Sequence, residues 1–135
     1  MSFTVEIPVP PSLNNAFFNR KAGGRVKTPT YRKWCRAAAL TIVASVQAKD
    51  RVSGPFRISI NLPSHIAGDI DNRVKGIVDA LVASGRVDDD KNMEELHVRR
   101  RHVGEKVLVH VKPDRPDPAS YQTDPKWAAE LAEAA

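Results

Sequence analysis

A single cysteine, Cys35, stands among 135 residues, so neither an internal disulfide nor a cysteine-built zinc cluster is available. The thiol falls within an apolar helical pattern and reads as a small packing residue. No apolar run approaches the roughly 20 residues that span a bilayer. The opening "MSFTVEIPVPPS" lacks the basic segment, apolar core and small-residue cleavage site of a secretory leader. The expected compartment is therefore the cytoplasm, with no membrane partner. Internal repeats and low-complexity tracts are missing as well. At 41% hydrophobic residues, the chain has enough apolar material for the core of one compact domain.

Acidic charge is sparse over most of the chain and concentrated at its end. The net charge is +5. Residues 113–135 hold Asp114, Asp117, Asp124, Glu130 and Glu133 against Arg115 and Lys126, which leaves +8 on the preceding 112 residues. A body this basic suits a polyanionic partner, nucleic acid first. The expected organisation is a domain over 1–112 and an acidic, proline-containing extension over 113–135, extended apart from a short helix beginning at Pro125.

Phe3, Val5, Ile7 and Val9 alternate with other residues and predict a strand that stops at Pro10-Pro11, with Pro8 marking an edge. "SLNNAFFNRKAGGRVKTPT" reads as a long loop, and such loops are commonly functional. Thr30 is the expected cap of a helix over "YRKWCRAAALTIVASVQAK", with Tyr31, Trp34, Ala38, Thr41, Ile42 and Ser45 on its inner face. Phe56, Ile58, Ile60 and Leu62 predict a half-buried strand. Val74, Ile77, Val78, Leu81 and Val82 give the i, i+3, i+4, i+7, i+8 series of an amphipathic helix, closed by Gly85. "MEELHVRRRHV" and "KVLVHVK" flank Gly104-Glu105, a turn compatible with a hairpin. The fold class expected is α+β, a small domain with a mixed or antiparallel sheet and two main helices.

Against this background the stretch "GDIDNRVKGIVDA" stands out. At about 100° per residue, Asp71, Lys75 and Asp79 form a row along one border of the apolar face. Asp71 can serve as a helix cap, and Lys75–Asp79 can form an ordinary i, i+4 ion pair. Asp69 is left without a role. Two carboxylates about 5 Å apart repel by roughly 3 kcal/mol at an effective dielectric near 20, which a basic neighbour or a divalent cation relieves. Oxygen ligands few in number suit Mg²⁺. An EF-hand is excluded, because Arg73, Val74 and Ala80 occupy the positions that need a ligand, a glycine and a glutamate. A second acid cluster, Asp88-Asp89-Asp90, is by itself a solvated turn, but the helix returns it towards the sheet.

Three pieces then combine in order. "PPSLNN" follows the first strand, the basic "GGRVKTPTYRKW" leads into the first helix, and "DIDNRVKGIVDALVASGRVDDDKN" forms the centre. Together they resemble the RusA family of Holliday-junction resolvases over roughly residues 3 to 112. The resemblance implies a Mg²⁺-dependent homodimer, with Mn²⁺ as a substitute, that cuts four-way DNA junctions in recombination and repair in bacteria and their prophages. It implies metal binding and catalysis by Asp69, Asp71 and Asp90, with Lys75 as the essential lysine. The extra Asp88 leaves the choice between Asp89 and Asp90 open. Many relatives carry arginines just before the first aspartate, where this chain has "HIAG", with His65 as a partial substitute.

In this reading Lys75 steadies charge on the phosphate or orients water, or serves as a counter-charge to the acids. Asn72 orients a ligand, and Asp79 is structural. Arg20, Lys21, Arg25, Lys27, Arg32, Lys33 and Arg73 are the candidate DNA contacts, with Arg36 on the same helix. Phe17 and Phe18 either stack on an opened base or anchor the loop. Arg99, Arg100 and Arg101 lie on a strand and alternate between its faces. The rivals are a catalytically silent junction-binding protein and an enzyme acting on nucleotides.

Overall fold

The computed structural model describes residues 1–12, 17–19 and 23–114. Part of "PPSLNN", Arg20, Lys21, the side chains of Phe17 and Phe18, and the extension beyond Asp114 lie outside the described residues.

Period-two hydrophobicity builds four strands into one mixed sheet. In chain order they are β1 (Phe3–Ile7), β4 (Phe56–Pro63), β5 (Met93–Arg101) and β6 (Val107–Pro113), arranged β1-β6-β4-β5. The remaining strands, β2 (Phe17–Asn19) and β3 (Arg25–Lys27), form a separate antiparallel ribbon. This ribbon lies where the sequence predicted a plain loop. Gly23 and Gly24, both at positive φ, precede β3 and supply the backbone freedom that such a short connection needs.

The two helices are α1 (Pro29–Ser45) and α2 (Val74–Ala83). The cap of α1 is Thr28 and not Thr30. Its side chain accepts a hydrogen bond from the Tyr31 backbone N–H at 3.2 Å, with Pro29 at the first helical position. Proline has no N–H to lose there, so it fixes the start two residues earlier than expected.

Both helices pack on one face of the sheet. Phe3, Val5, Ile7, Phe56, Ile58, Ile60, Leu62, Val107, Val109 and Val111 meet Ala38, Ile42, Ile77, Val78, Ala80 and Leu81 in a single core. Burial of Ile77, Val78 and Leu81 contributes about 1.5–3 kcal/mol each relative to exposure. Gly76 permits the close approach of α2. A methyl group there would stand 3.0 Å from Cβ of Pro10 and 3.4 Å from the Trp34 ring. The opposite face is polar, with Thr4 and His110 hydrogen-bonded across β1 and β6 at 2.8 Å.

The expected β5–β6 hairpin is not formed. β4 lies between them, parallel to β5 and antiparallel to β6. The physical reason is burial. β4 and β6 carry the apolar rows that fill the middle of the sheet, whereas β5 carries two glutamates and three arginines and takes the edge, where charge is tolerated. β4, α2 and β5 thus form a crossover unit, with α2 running back over the sheet.

Candidate active site

The site is built where β4 ends. Gly68, at φ +83°, turns the chain just before Asp69. Two arginines hold this loop. Arg100 on β5 donates to the carbonyls of Ile66 and Gly68, and Arg73 donates to those of Pro10 and Ala67. Arg73, a candidate DNA contact in sequence, therefore spends its guanidinium on internal carbonyls and ties the exit of β1 to the acid loop.

Asp69 occupies the cap position of a 3₁₀ turn, Ile70–Arg73, but its side chain makes no capping bond. Asp71 sits inside that turn. The residue at the cap position of α2 is Arg73, so Asp71 does not cap the helix as its sequence position suggested. The 3₁₀ turn delays the α-helix by three residues and turns Asp71 towards β5.

Asp71, Lys75, Asp79 and Asp90 line one cavity of about 380 Å³, walled by Val74, Val78, Met93 and Leu96. The acids at the two ends of α2 therefore share a space between that helix and β5. Asp69 flanks the cavity without lining it. Among the described residues, no three His, Cys, Asp or Glu side chains are gathered closely enough to hold a metal ion together. The donors fit a hard divalent cation in kind, being exposed carboxylates in or beside an open cavity.

Lys75 and Asp79 pair at 3.6 Å, one helical turn apart. Asp79 also accepts a hydrogen bond from the buried Tyr31 hydroxyl on α1. Burial, then the Asp79 carboxylate, drives the Tyr31 phenol far above its ordinary pKa, so it stays a donor. Tyr31 is the residue the sequence reading missed, because its helical spacing marked it as core and nothing local linked it to residue 79. The Tyr31–Asp79–Lys75 chain fixes the lysine at the cavity wall. Tyr31→Phe should cost about 1–3 kcal/mol, because it strips a partner from a half-buried carboxylate. Urea unfolding measures this, and a change under 0.5 kcal/mol would show the hydroxyl to be dispensable. Cys35 is half-buried, and burial, then Asp79, raises its thiol pKa.

The three consecutive acids separate cleanly. Asp88 pairs with Arg51 and accepts from the Gly54 N–H at 2.9 Å, locking the turn to the segment before β4. Asp89 caps a short 3₁₀ turn by accepting from the Lys91 N–H at 3.0 Å. That bond, followed by one with Asp90, lowers the Asp89 pKa. Asp90 faces the cavity.

The basic residues gather elsewhere. Lys27, Arg32 and Arg36 line a groove of about 430 Å³ along α1, together with the exposed Leu40 and Val43. Lys27 also lies 5.6 Å from the Tyr31 ring centroid. Arg25 and Lys33 are exposed nearby in sequence. His65, at the "HIAG" departure, faces Glu105 at 3.7 Å.

Comparison with known proteins is decisive at this point. The family model described as Endodeoxyribonuclease RusA matches residues 8–112. The chain belongs to the RusA family. The match runs from the end of β1 almost to the end of β6 and takes in every residue lining the acid cavity. A crossover junction endodeoxyribonuclease RusA from Enterobacteria phage HK97 is 27% identical over 96 residues, covering 70% of this chain and 78% of that protein. As a RusA-family protein the chain is an endodeoxyribonuclease, a hydrolase of DNA phosphodiester bonds, and this class of enzyme depends on a divalent metal. No helix among the described residues is long and apolar enough to cross a membrane.

Proposed function

We propose that this RusA-family chain resolves four-way DNA junctions by paired phosphodiester cleavage in recombination and repair, using Mg²⁺ held by Asp69, Asp71 and Asp90. The observation that carries the reading is the shared cavity. Acids from opposite ends of α2, together with Lys75, face one space in a chain matched over residues 8–112 to an endodeoxyribonuclease family.

When bound, a divalent cation lowers the pKa of water and neutralises phosphate charge. The protein's own part is positional. Asp71 is set by the 3₁₀ turn and Asp90 by the turn into β5. Asp89 is occupied as a cap, which favours Asp90 as the third ligand. Lys75, steadied by Asp79, offers an ammonium group to the scissile phosphate. Arg25, Lys27, Arg32 and Lys33 hold the DNA backbone without reading sequence, and Arg20 and Lys21 belong to the same set. Arg73 supports the loop and contacts DNA little. Two symmetric cuts need two such cavities, which a homodimer supplies.

A synthetic four-way junction tests this directly. Paired symmetric nicks are expected with Mg²⁺ or Mn²⁺, and none with EDTA. Tight binding in Mg²⁺ with every strand intact would sink the nuclease reading in favour of a silent junction-binding protein.

A further inference from the structure

The triplet Arg99-Arg100-Arg101 is divided by the pleat of β5. Beyond an irregularity at the start of the strand, pairing with β4 is regular from Glu95 to Arg101. Arg99 and Arg101 therefore share the polar face of the sheet, where Arg99 donates to the Asn61 side chain at 3.0 Å. Arg100 stands on the other face, level with Leu62 and four residues past Leu96, which lines the acid cavity. From there it reaches the loop that leads into Asp69. Its Nε donates to the Ile66 carbonyl at 3.3 Å and its Nη2 to the Gly68 carbonyl.

We propose that Arg100 is a DNA contact, a fixed guanidinium that grips a backbone phosphate beside the loop carrying Asp69. Both of its partners are neutral carbonyls, and among the described residues no carboxylate pairs with it. Arg51, Arg57 and Lys75 each face an acid that offsets their charge. Arg100 is anchored with its charge intact. Nε and one N–H of Nη2 form a single edge of the guanidinium, and the two carbonyls occupy that edge. The remaining fork, Nη1 with the second N–H of Nη2, has no partner among the described residues. Such a fork matches two oxygens of one phosphate. Arg100 is also exposed. Arg73, the other arginine on this loop, is half-buried and gives both terminal nitrogens to carbonyls.

Anchoring also favours the contact. A loose arginine gives up rotamer freedom when it grips a phosphate, whereas Arg100 has given it up on folding. Its place adds something that α1 does not supply. Lys27, Arg32 and Arg36 line a separate groove. Gly68 directly precedes Asp69, so a phosphate on Arg100 is held next to the first acid of the site. The inference deepens the junction reading and rests on it for the nature of the anion, but its test reads binding without cleavage.

Fluorescence anisotropy of a labelled synthetic four-way junction, titrated in EDTA over a range of salt, provides the test. Arg100→Gln keeps a donor for the loop and removes the charge. It should bind about tenfold more weakly at about 0.1 M salt, and its slope of log K against log salt should flatten by about 0.9 for each chain bound, the value for one phosphate. Arg100→Lys keeps the charge and should hold the wild-type slope to within about 0.3. Arg99→Ala, on the opposite face, should bind as the wild type does. An unchanged slope in Arg100→Gln would reduce Arg100 to a loop anchor and overturn the proposal, and so would an equal fall in Arg99→Ala. A protein that shows the Arg100 effect yet leaves junctions uncut in Mg²⁺ supports this inference and refutes the function.

Discussion

Asp71→Asn is expected to abolish junction cleavage while leaving the fold and junction binding in place. Asparagine keeps the shape of the side chain and removes its full negative charge. Asp71 is exposed within the 3₁₀ turn. Its loss should therefore change stability by no more than about 0.5 kcal/mol. A held divalent cation is worth several kcal/mol of transition-state charge stabilisation. Each 1.36 kcal/mol is a factor of ten in rate, so a loss of about 10³-fold or more is expected. Binding should hold or improve, because one acid no longer repels the phosphates. Single-turnover cleavage in Mg²⁺ and a gel shift without cleavage, on the same preparation, measure the two effects. Cleavage within about threefold of the wild type would remove Asp71 from the metal set.

Phe56→Ala is expected to cause the largest loss of stability. Phe56 opens β4, is fully buried, and faces Met93 on β5 and Pro113 on β6. The ring lies in the core shared by the sheet and both helices. Truncation loses the transfer free energy of the ring and leaves a cavity that two neighbouring strands cannot collapse, a cost of about 3–5 kcal/mol. Domains of this size hold roughly 5–15 kcal/mol in total, so the variant should unfold at much lower denaturant. The midpoint in guanidinium chloride should fall with the slope unchanged. A loss below about 1 kcal/mol would mean that the core is loose at this end.

Local pattern made much of this legible before any coordinates. The alternation through Phe56–Leu62 and the helical series from Val74 to Val82 mark β4 and α2, because burial of one face imposes the period of the element. Gly85 ends α2 at positive φ as its position suggested. The acid pair, Lys75 and the closing acids were visible as a constellation, since residue type and spacing are sequence properties. The Thr28 cap was misread because Thr28 and Thr30 flank the same proline and either can cap. The neighbouring β2–β3 ribbon was hidden because three-residue strands carry too little periodicity to detect.

Contacts between distant segments were not legible. The Tyr31–Asp79 bond joins residues 48 positions apart, and helical spacing marks both only as positions on or beside an inner face. Arg73 is a candidate DNA contact by residue type, and only the fold brings the carbonyls of Pro10 and Ala67 within its reach. Asp88, Asp89 and Asp90 are chemically identical in sequence. Three backbone orientations gave one an ion pair, one a cap and one the cavity.

The amino-acid sequence by itself determined the number and type of the main elements, the basic body, and the family to which the acid motif belongs. These follow from local periodicity, net charge and motif order. The tertiary structure alone decided that β4 stands between β5 and β6, that Asp71 and Asp90 share a cavity while Asp69 flanks it, and that β5 takes the edge of the four-stranded sheet. The reason is that strand order is a competition for burial across the whole sheet. The most apolar strands took its centre, and the charged β5 was left at the rim beside the acids.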